Sequence, residues 1–206
     1  MKINSEKLIS KRKEEIINAC GELYKIKNFK DITLKEISDL TTFTRTSIYN
    51  YFQTKEEIFL TLNKIEYEKW CEDLNKIIAE NKTLTKEDIA ENIAKTLEKR
   101  EQMLKLMSMN HFEMEANSRL EILTEFKIAY GNSIKTVKKL LEKFCPDMVE
   151  TDINEFIYAF FPFVYGIYPY AKVTDCQKKA MEQAQTGFIY HSIYELSYNA
   201  IRNLLG

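Results

Sequence analysis

Glycine and proline are scarce in this sequence, which has 5 Gly and 3 Pro among 206 residues. Strands joined by turns need such residues, and hardly any stretch alternates apolar and polar side chains. The composition, 45% hydrophobic and 30% charged, is that of a folded chain and excludes general disorder. The sequence therefore predicts an all-α protein, long enough for one large or two small domains with a buried core.

Clustered metal ligands and paired cysteines are also lacking. The four cysteines form no Cys-x-x-Cys pair, and the two histidines are far apart. We therefore expect no metal site and no disulfide framework, as is usual in a reducing cytoplasm. The chain has no glycine-rich phosphate loop and no nucleophile with an evident base, so we expect no cofactor, no catalytic residue and no enzyme activity.

Long apolar runs are absent as well. The longest uncharged run, residues 156–171, is too short to cross a bilayer and contains two prolines. The N-terminal residues include no apolar core of signal-peptide length. The sequence predicts a cytoplasmic protein without membrane association.

Helix starts, by contrast, are easy to find. Thr33, Thr54, Ser118 and Thr174 are each followed three residues later by Glu or Gln, as in a capping box. Apolar residues at helical spacing follow each of these starts. The pattern predicts about nine helices, over residues 6–26, 34–40, 44–51, 54–80, 86–100, 101–110, 118–144, 152–168 and 174–205.

The second and third of these helices are separated by only three residues, Thr41, Thr42 and Phe43. Two short helices joined in this way form a helix-turn-helix, which lays its second helix in the major groove of DNA. Residues 1–55 carry 11 Lys and Arg against 7 Asp and Glu, whereas residues 56–206 carry 19 against 24. A basic head on an acidic body is what a DNA-binding regulator would show.

The predicted recognition helix carries short polar and basic groups on one face. Arg45 can bind guanine, Asn50 can bind adenine, and Thr46 can contact a thymine methyl group, with Ser47 beside them. The alternative is an ordinary solvated helix face. Lys55 begins the next helix, where its ammonium and the free N–H groups suit a phosphate.

Three motifs of this region resemble the N-terminal domain of TetR-family transcriptional regulators: residues 33–37 (TLKEI), 44–52 (TRTSIYNYF) and 55–57 (KEE). The resemblance implies a homodimer in which three N-terminal helices bind double-stranded DNA and the other helices form a dimerising, ligand-responsive body. It also places Tyr49 and Tyr51 near phosphates, although periodicity alone allows either in the core. Thr33 and Thr44 could bind phosphate too, but capping explains them equally well.

The turn departs from the family pattern, which usually has a small residue and a glycine before the recognition helix, whereas this chain has Thr41, Thr42 and Phe43. A residue other than glycine in a left-handed conformation costs about 1 kcal/mol or more. Either the turn avoids positive φ or Thr42 is strained.

The body is rich in methionine and aromatic residues. At helical spacing these are usually plain core, but they can also line an adaptable pocket for a small apolar or aromatic effector. The candidate pocket residues are Met103, Met107, His111, Phe126, Tyr130 and Tyr165. For His111, a structural cap is the alternative. The resemblance implies that the last two helices, which include Tyr194 and Tyr198, pair across a two-fold axis.

The sequence thus predicts two domains, a DNA-binding helix-turn-helix domain at residues 1–54 and a regulatory and dimerisation domain at residues 55–206. The predicted function is a ligand-responsive repressor that binds a near-palindromic operator as a homodimer. Two alternatives remain open: an enzyme acting on a small apolar molecule, and a dimeric module whose head contacts another protein.

Overall fold

The computed structural model describes residues 2–109 and 111–206, and the side chains of residues 7–109 and 112–206. In these ranges the chain forms eleven α-helices, one 3-10 turn and no strand, so the all-α prediction is confirmed. The helices are α1 Lys2–Ile26, α2 Leu34–Asp39, α3 Arg45–Ile48, α4 Lys55–Glu80, α5 Lys86–Lys99, α6 Glu101–Met107, α7 His111–Ala116, α8 Leu120–Phe144, α9 Glu150–Ala171, α10 Asp175–Gln183 and α11 Ile193–Leu205, with the 3-10 turn at Phe29–Asp31.

Two differences raise the helix number above the expected nine. The short helix α7 was not predicted, and the single helix expected over residues 174–205 is divided into α10 and α11. The division lies where Gln185 and Gly187 adopt positive φ angles of 51° and 64°. Glycine takes that conformation without steric cost, so Gly187 was the available sequence signal for a break.

The capping boxes account for several of these boundaries. Those at Thr33 and Thr174 form as predicted, with hydroxyl and carboxylate or amide bonding each other's backbone N–H groups. At Thr54 only half of the box forms: its hydroxyl accepts from the Glu57 N–H, whereas the Glu57 carboxylate accepts from the Gln53 N–H. Helix α8 begins at Leu120, and the Ser118 hydroxyl donates to the Met114 carbonyl.

The chain divides into two compact units. The first contains Met1–Ile65 and Asn110–Tyr130, and the second contains Glu66–Met109 and Gly131–Gly206. Two of the three divisions fall inside α4 and α8 and the third falls between α6 and α7, so each unit contains two stretches of sequence. The functional division predicted between residues 54 and 55 stays a prediction.

The core of the first unit joins α1, α2 and α3 to the start of α4. Ile16, Cys20, Ile37 and Ile48 are fully buried there. The Tyr24 ring meets the Phe59 ring edge-on at 5.1 Å between centroids. The helical spacing of Leu40 from Leu34 and Ile37 predicts that it turns inward, but it is 56% exposed at the end of α2. Burial of the apolar side chains is what holds these short helices in place.

The second unit is built around Trp70, the only tryptophan of the chain. Its ring centroid lies 6.3 Å from that of Phe160 and 6.1 Å from that of Phe161. Its indole N–H donates to the Thr96 hydroxyl at 3.0 Å, which satisfies a donor that burial would otherwise leave unpaired. Helix α11 packs against α5 and α9, and α9 also packs against α6.

Candidate nucleic-acid interface

Thr44 starts the candidate recognition helix. Its backbone is extended and its hydroxyl oxygen accepts the Ser47 N–H at 3.2 Å, which satisfies one of the free donors of α3. The same oxygen lies 3.0 Å from the Ser47 hydroxyl. This cap fixes the direction in which α3 leaves the turn.

Helix α3 is shorter than predicted, but the chain keeps a helical path beyond it. The Tyr51 N–H donates to the Ile48 carbonyl at 2.9 Å, and the Phe52 N–H donates to the same carbonyl at 3.0 Å. Ile48 and Phe52 are fully buried, so this segment is attached to the core by one face. Asn50 and Tyr51 therefore remain in helical register with Arg45 and Thr46.

The opposite face of the segment is accessible. Thr44, Arg45, Thr46, Tyr49 and Asn50 are exposed, and Ser47 is half-buried. The guanidinium of Arg45 lies 3.5 Å from the Tyr49 hydroxyl, one helical turn away, and this long contact leaves most of its donors available. The face can offer a bidentate cation, hydroxyls, an amide and a phenol to a ligand. Its role in DNA binding stays a prediction.

Tyr51 is held by a residue that the sequence did not single out for this role. Arg12 in α1 donates to the Tyr51 hydroxyl at 3.0 Å, and its guanidinium lies 5.7 Å from the centre of the Phe43 ring. The ring centroids of Phe43 and Tyr51 are 6.2 Å apart. No sequence spacing reveals this contact, because the two residues are 39 positions apart.

Glu15 stabilises the turn, which forms without glycine. No residue of the turn adopts a positive φ, since Gln185 is the only non-glycine residue with one in the described ranges. The Glu15 carboxylate accepts from the Thr42 N–H at 2.7 Å and from its hydroxyl at 2.9 Å. Thr42 therefore contributes a side-chain hydrogen bond and is not strained.

Thr33 is fully engaged at the start of α2. Its hydroxyl caps the helix, and the Glu36 carboxylate accepts from both its N–H and its hydroxyl at 2.9 Å. Lys27 also donates to Glu36. The bonds from Lys27 and then Thr33 lower the pKa of Glu36 from 4.5 to about 2. These contacts make the capping role certain, whereas the predicted phosphate contact of Thr33 stays a prediction.

Lys55 is directed inward in this structure. Its ammonium donates to the Phe29 carbonyl at 2.7 Å and the Ile32 carbonyl at 2.9 Å, and lies 4.1 Å from the centre of the Phe29 ring. An ammonium has three donors, so these two bonds leave one for another acceptor. A phosphate contact by Lys55, which stays a prediction, would use this remaining donor or replace one of the two bonds.

The six candidate pocket residues divide between the two units. Met103, Met107 and Tyr165 belong to the second unit, where both methionines are buried and the Tyr165 hydroxyl accepts from that of Tyr67 at 3.2 Å. Phe126, which is buried, and Tyr130, which is half-buried, belong to the first. The side chain of His111, the first residue of α7, lies outside the described residues.

Two further observations concern chemistry of other kinds. Within the described residues, no group of three or more His, Cys, Asp and Glu side chains is arranged to hold a metal ion. None of the helices described there combines the length and the apolar character that a bilayer crossing requires.

With a capped short helix presented on a helical core, the architecture is that of a helix-turn-helix protein with a helical body. The family model described as "Tetracyclin repressor-like, C-terminal domain" matches residues 64–191, more than half of the chain. The chain belongs to the TetR family of transcriptional regulators. No curated protein matches it.

Solved structures of transcriptional regulators share its fold. PfmR from Thermus thermophilus has a TM-score of 0.64 at 10% identity, over 92% of this chain and 96% of that one. A TetR/AcrR regulator from Thermobifida fusca has a TM-score of 0.63 at 16% identity, over 95% and 97%. FadR from Bacillus subtilis, solved in complex with stearoyl-CoA, has a TM-score of 0.59 at 16% identity, over 94% and 97%.

The turn can be tested by giving it the glycine that the family usually has. We expect Thr42→Gly to lower the free energy of unfolding by about 1 kcal/mol, because glycine loses more entropy on folding and lacks the hydroxyl that donates to Glu15. Thr42→Ser, which keeps the hydroxyl, serves as the control and should stay within about 0.5 kcal/mol of the wild type. Urea unfolding followed by circular dichroism measures the stability of both variants. A gain in stability for Thr42→Gly would contradict the conclusion that Thr42 is unstrained and bonded to Glu15.

Proposed function

We propose that this protein is a transcriptional repressor that binds a near-palindromic operator as a homodimer and is released by a small apolar or aromatic effector. The observation that carries the proposal is the segment from Thr44 to Phe52. One face of it is anchored by buried Ile48 and Phe52, while the other presents exposed polar and basic groups. A helix so held can enter the major groove without losing its place in the fold.

The side chains of this segment suit distinct parts of a DNA site. Arg45 suits the O6 and N7 atoms of guanine, Asn50 suits adenine, and the Thr46 methyl group suits thymine. Tyr49 and Tyr51 suit phosphate oxygens, to which a phenol can donate. Thr33, Thr44, Ser47 and Lys55 complete the proposed DNA-binding set.

Operator binding is tested by fluorescence anisotropy on the DNA adjoining the protein's own gene. We expect tight binding whose Kd rises steeply with salt, since each neutralised phosphate releases counterions. Arg45→Ala should reduce discrimination at one base pair of each half-site by about 1–3 kcal/mol. Lys139→Ala, which removes an exposed cation of the second unit, is the matched control and should leave discrimination unchanged.

Two results would count against this function. If the protein does not bind this DNA, or if its Kd does not change with salt, the alternative in which residues 1–54 contact another protein would be favoured. Unaltered base discrimination in Arg45→Ala would remove that residue from the readout.

Dimerisation is proposed through an apolar face of α9 together with α11. Tyr158 and Tyr170 on α9 are 80% and 61% exposed. Between α9 and α11 lies a groove of about 260 Å³, lined by Pro162, Phe163, Gly166, Ile167, Tyr170 and Leu196. Exposed aromatic residues around an apolar groove are typical of surfaces that pair. A two-fold pairing would set two heads about one helical turn of DNA apart.

Gly166 offers a direct test of this face. A Cβ atom at Gly166 would meet nothing within 4 Å, so a larger side chain fits the single chain. We expect Gly166→Arg to shift the protein from dimer to monomer in sedimentation equilibrium, because the new side chain fills the space that a partner helix needs. Gly131→Arg in α8, where a Cβ atom is equally unobstructed, is the matched control and should remain dimeric. An unchanged dimer in Gly166→Arg would place the interface elsewhere.

The effector is proposed to be apolar or aromatic because the body concentrates methionine and aromatic residues, including Met103, Met107 and Tyr165. Such side chains adapt to apolar ligands. FadR from Bacillus subtilis, whose fold is similar, was solved with stearoyl-CoA, a ligand with a long apolar chain.

The effector class can be probed with stearoyl-CoA and with a small phenol in the anisotropy assay. We expect one of them to raise the Kd for operator DNA roughly 5- to 150-fold, the usual range of coupling between two sites. Operator DNA should weaken binding of that compound by the same factor, since coupling is reciprocal. An operator affinity unchanged by saturating amounts of both would contradict the proposed class.

A further inference from the structure

Glu57 is a carboxylate buried inside the first unit, in the first turn of α4. A buried charge is costly unless several hydrogen bonds compensate it. Four donors meet this one: the Gln53 N–H at 2.8 Å, the Arg119 N–H at 3.0 Å, and the Arg119 Nε and Nη2 atoms at 2.7 and 2.9 Å. Each of the two carboxylate oxygens therefore accepts two hydrogen bonds.

Arg119 is the residue just before α8, and its guanidinium binds more than Glu57. The fork places Nε on one carboxylate oxygen and Nη2 on the other, a geometry that lysine cannot reproduce. The Nη2 atom also donates to the Tyr51 carbonyl at 3.2 Å. One side chain therefore joins the end of the recognition segment, residues 44–52, to the start of α4.

A second hydrogen bond connects the same two regions of the chain. The Thr54 hydroxyl donates to the Asn117 carbonyl at 2.9 Å. Asn117 and Arg119 thus bind three positions within residues 51–57, across more than 60 residues of sequence. The connection between α7 and α8 is the support on which the segment following α3 rests.

Glu57 stays ionised near neutral pH, so its hydrogen bonds with Arg119 are kept. Burial raises the pKa of Glu57, but the hydrogen bonds from Arg119 and from the two backbone N–H groups outweigh it and leave the pKa below 4.5. The pair is therefore ionised at neutral pH, and any stability it contributes is lost only as the pH falls below 4.5.

We propose that Arg119 is a positioning residue for DNA binding: it fixes the backbone of residues 51–57 and so sets the place of Tyr51 and the recognition segment against the operator. Arg119 itself supplies no group to DNA. The proposal rests on the DNA-binding function proposed above, and it gives residues 117–119 control over operator affinity.

The test compares Arg119→Met with the double variant Arg119→Met/Glu57→Gln in the full-length protein. The single variant leaves a buried carboxylate unpaired, which lowers stability, whereas the double variant removes that charge and should regain the lost stability in urea unfolding. We expect both to bind the operator roughly tenfold more weakly than the wild type, the order of coupling typical between distinct sites. A purely structural role would restore affinity along with stability in the double variant.

The salt dependence separates positioning from direct contact. Removing a phosphate ligand from both protomers of the dimer reduces the magnitude of the slope of log K against log salt by about 1.8, whereas we expect the slope of the double variant to equal that of the wild type. Lys127→Met is the matched control, because it breaks the Lys127–Glu115 ion pair in the same unit without touching Glu57. Its operator affinity should stay at the wild-type value.

Three outcomes have distinct meanings. A folded double variant that binds the operator within twofold of the wild type would overturn the positioning role, and so would a reduced salt slope. Failure of the wild type to bind DNA would instead refute the proposed function. In that case hydrogen exchange at the Gln53 amide, expected to be faster in Arg119→Met, still reports whether Arg119 holds this backbone.

Discussion

The proposed interface depends on burial of Ile48 and Phe52, because α3 has only four residues. A helix that short does not persist by itself in water, since its few hydrogen bonds cannot offset the entropy of ordering it. Its conformation is imposed from outside, by two buried side chains below, by the Thr44 cap at its start and by Arg119 on the Tyr51 carbonyl at its end. These three sets of contacts fix the positions of the exposed side chains.

Carboxylates perform much of this supporting work in a region of net positive charge. Glu15 holds the turn, Glu36 closes the start of α2, and Glu57 joins the end of the recognition segment to residues 117–119. Each accepts backbone N–H groups as well as side-chain donors, which is why they can order the chain without leaving polar groups unsatisfied. The exposed cations, Arg45 foremost, are in consequence left available for an anionic partner.

Local sequence patterns predicted what local interactions decide. The all-α class, most helix bounds and the boxes at Thr33 and Thr174 follow from propensity and from contacts three residues apart. The break at Gly187 and the exposure of Leu40 were missed, although Gly187 was visible. The contacts of Glu15 with Thr42, Arg12 with Tyr51 and Arg119 with Glu57 could not be predicted, because they span 27 to 62 residues and depend on tertiary packing. Lys55 shows the same limit, since its inward direction is set by carbonyls that belong to the 3-10 turn and the residue after it.

The Glu15–Thr42 bond has a consequence for how this turn can change during evolution. A glycine at position 42 would keep the N–H bond to Glu15 and lose the hydroxyl bond. In this chain the turn is held by hydrogen bonds from the Thr42 N–H and hydroxyl to the Glu15 carboxylate of α1, so replacing either residue removes a hydrogen bond from the other. Substitutions at the two positions are therefore epistatic, and an acidic residue at 15 is expected to accompany a hydroxyl at 42 in any lineage that dispenses with the glycine.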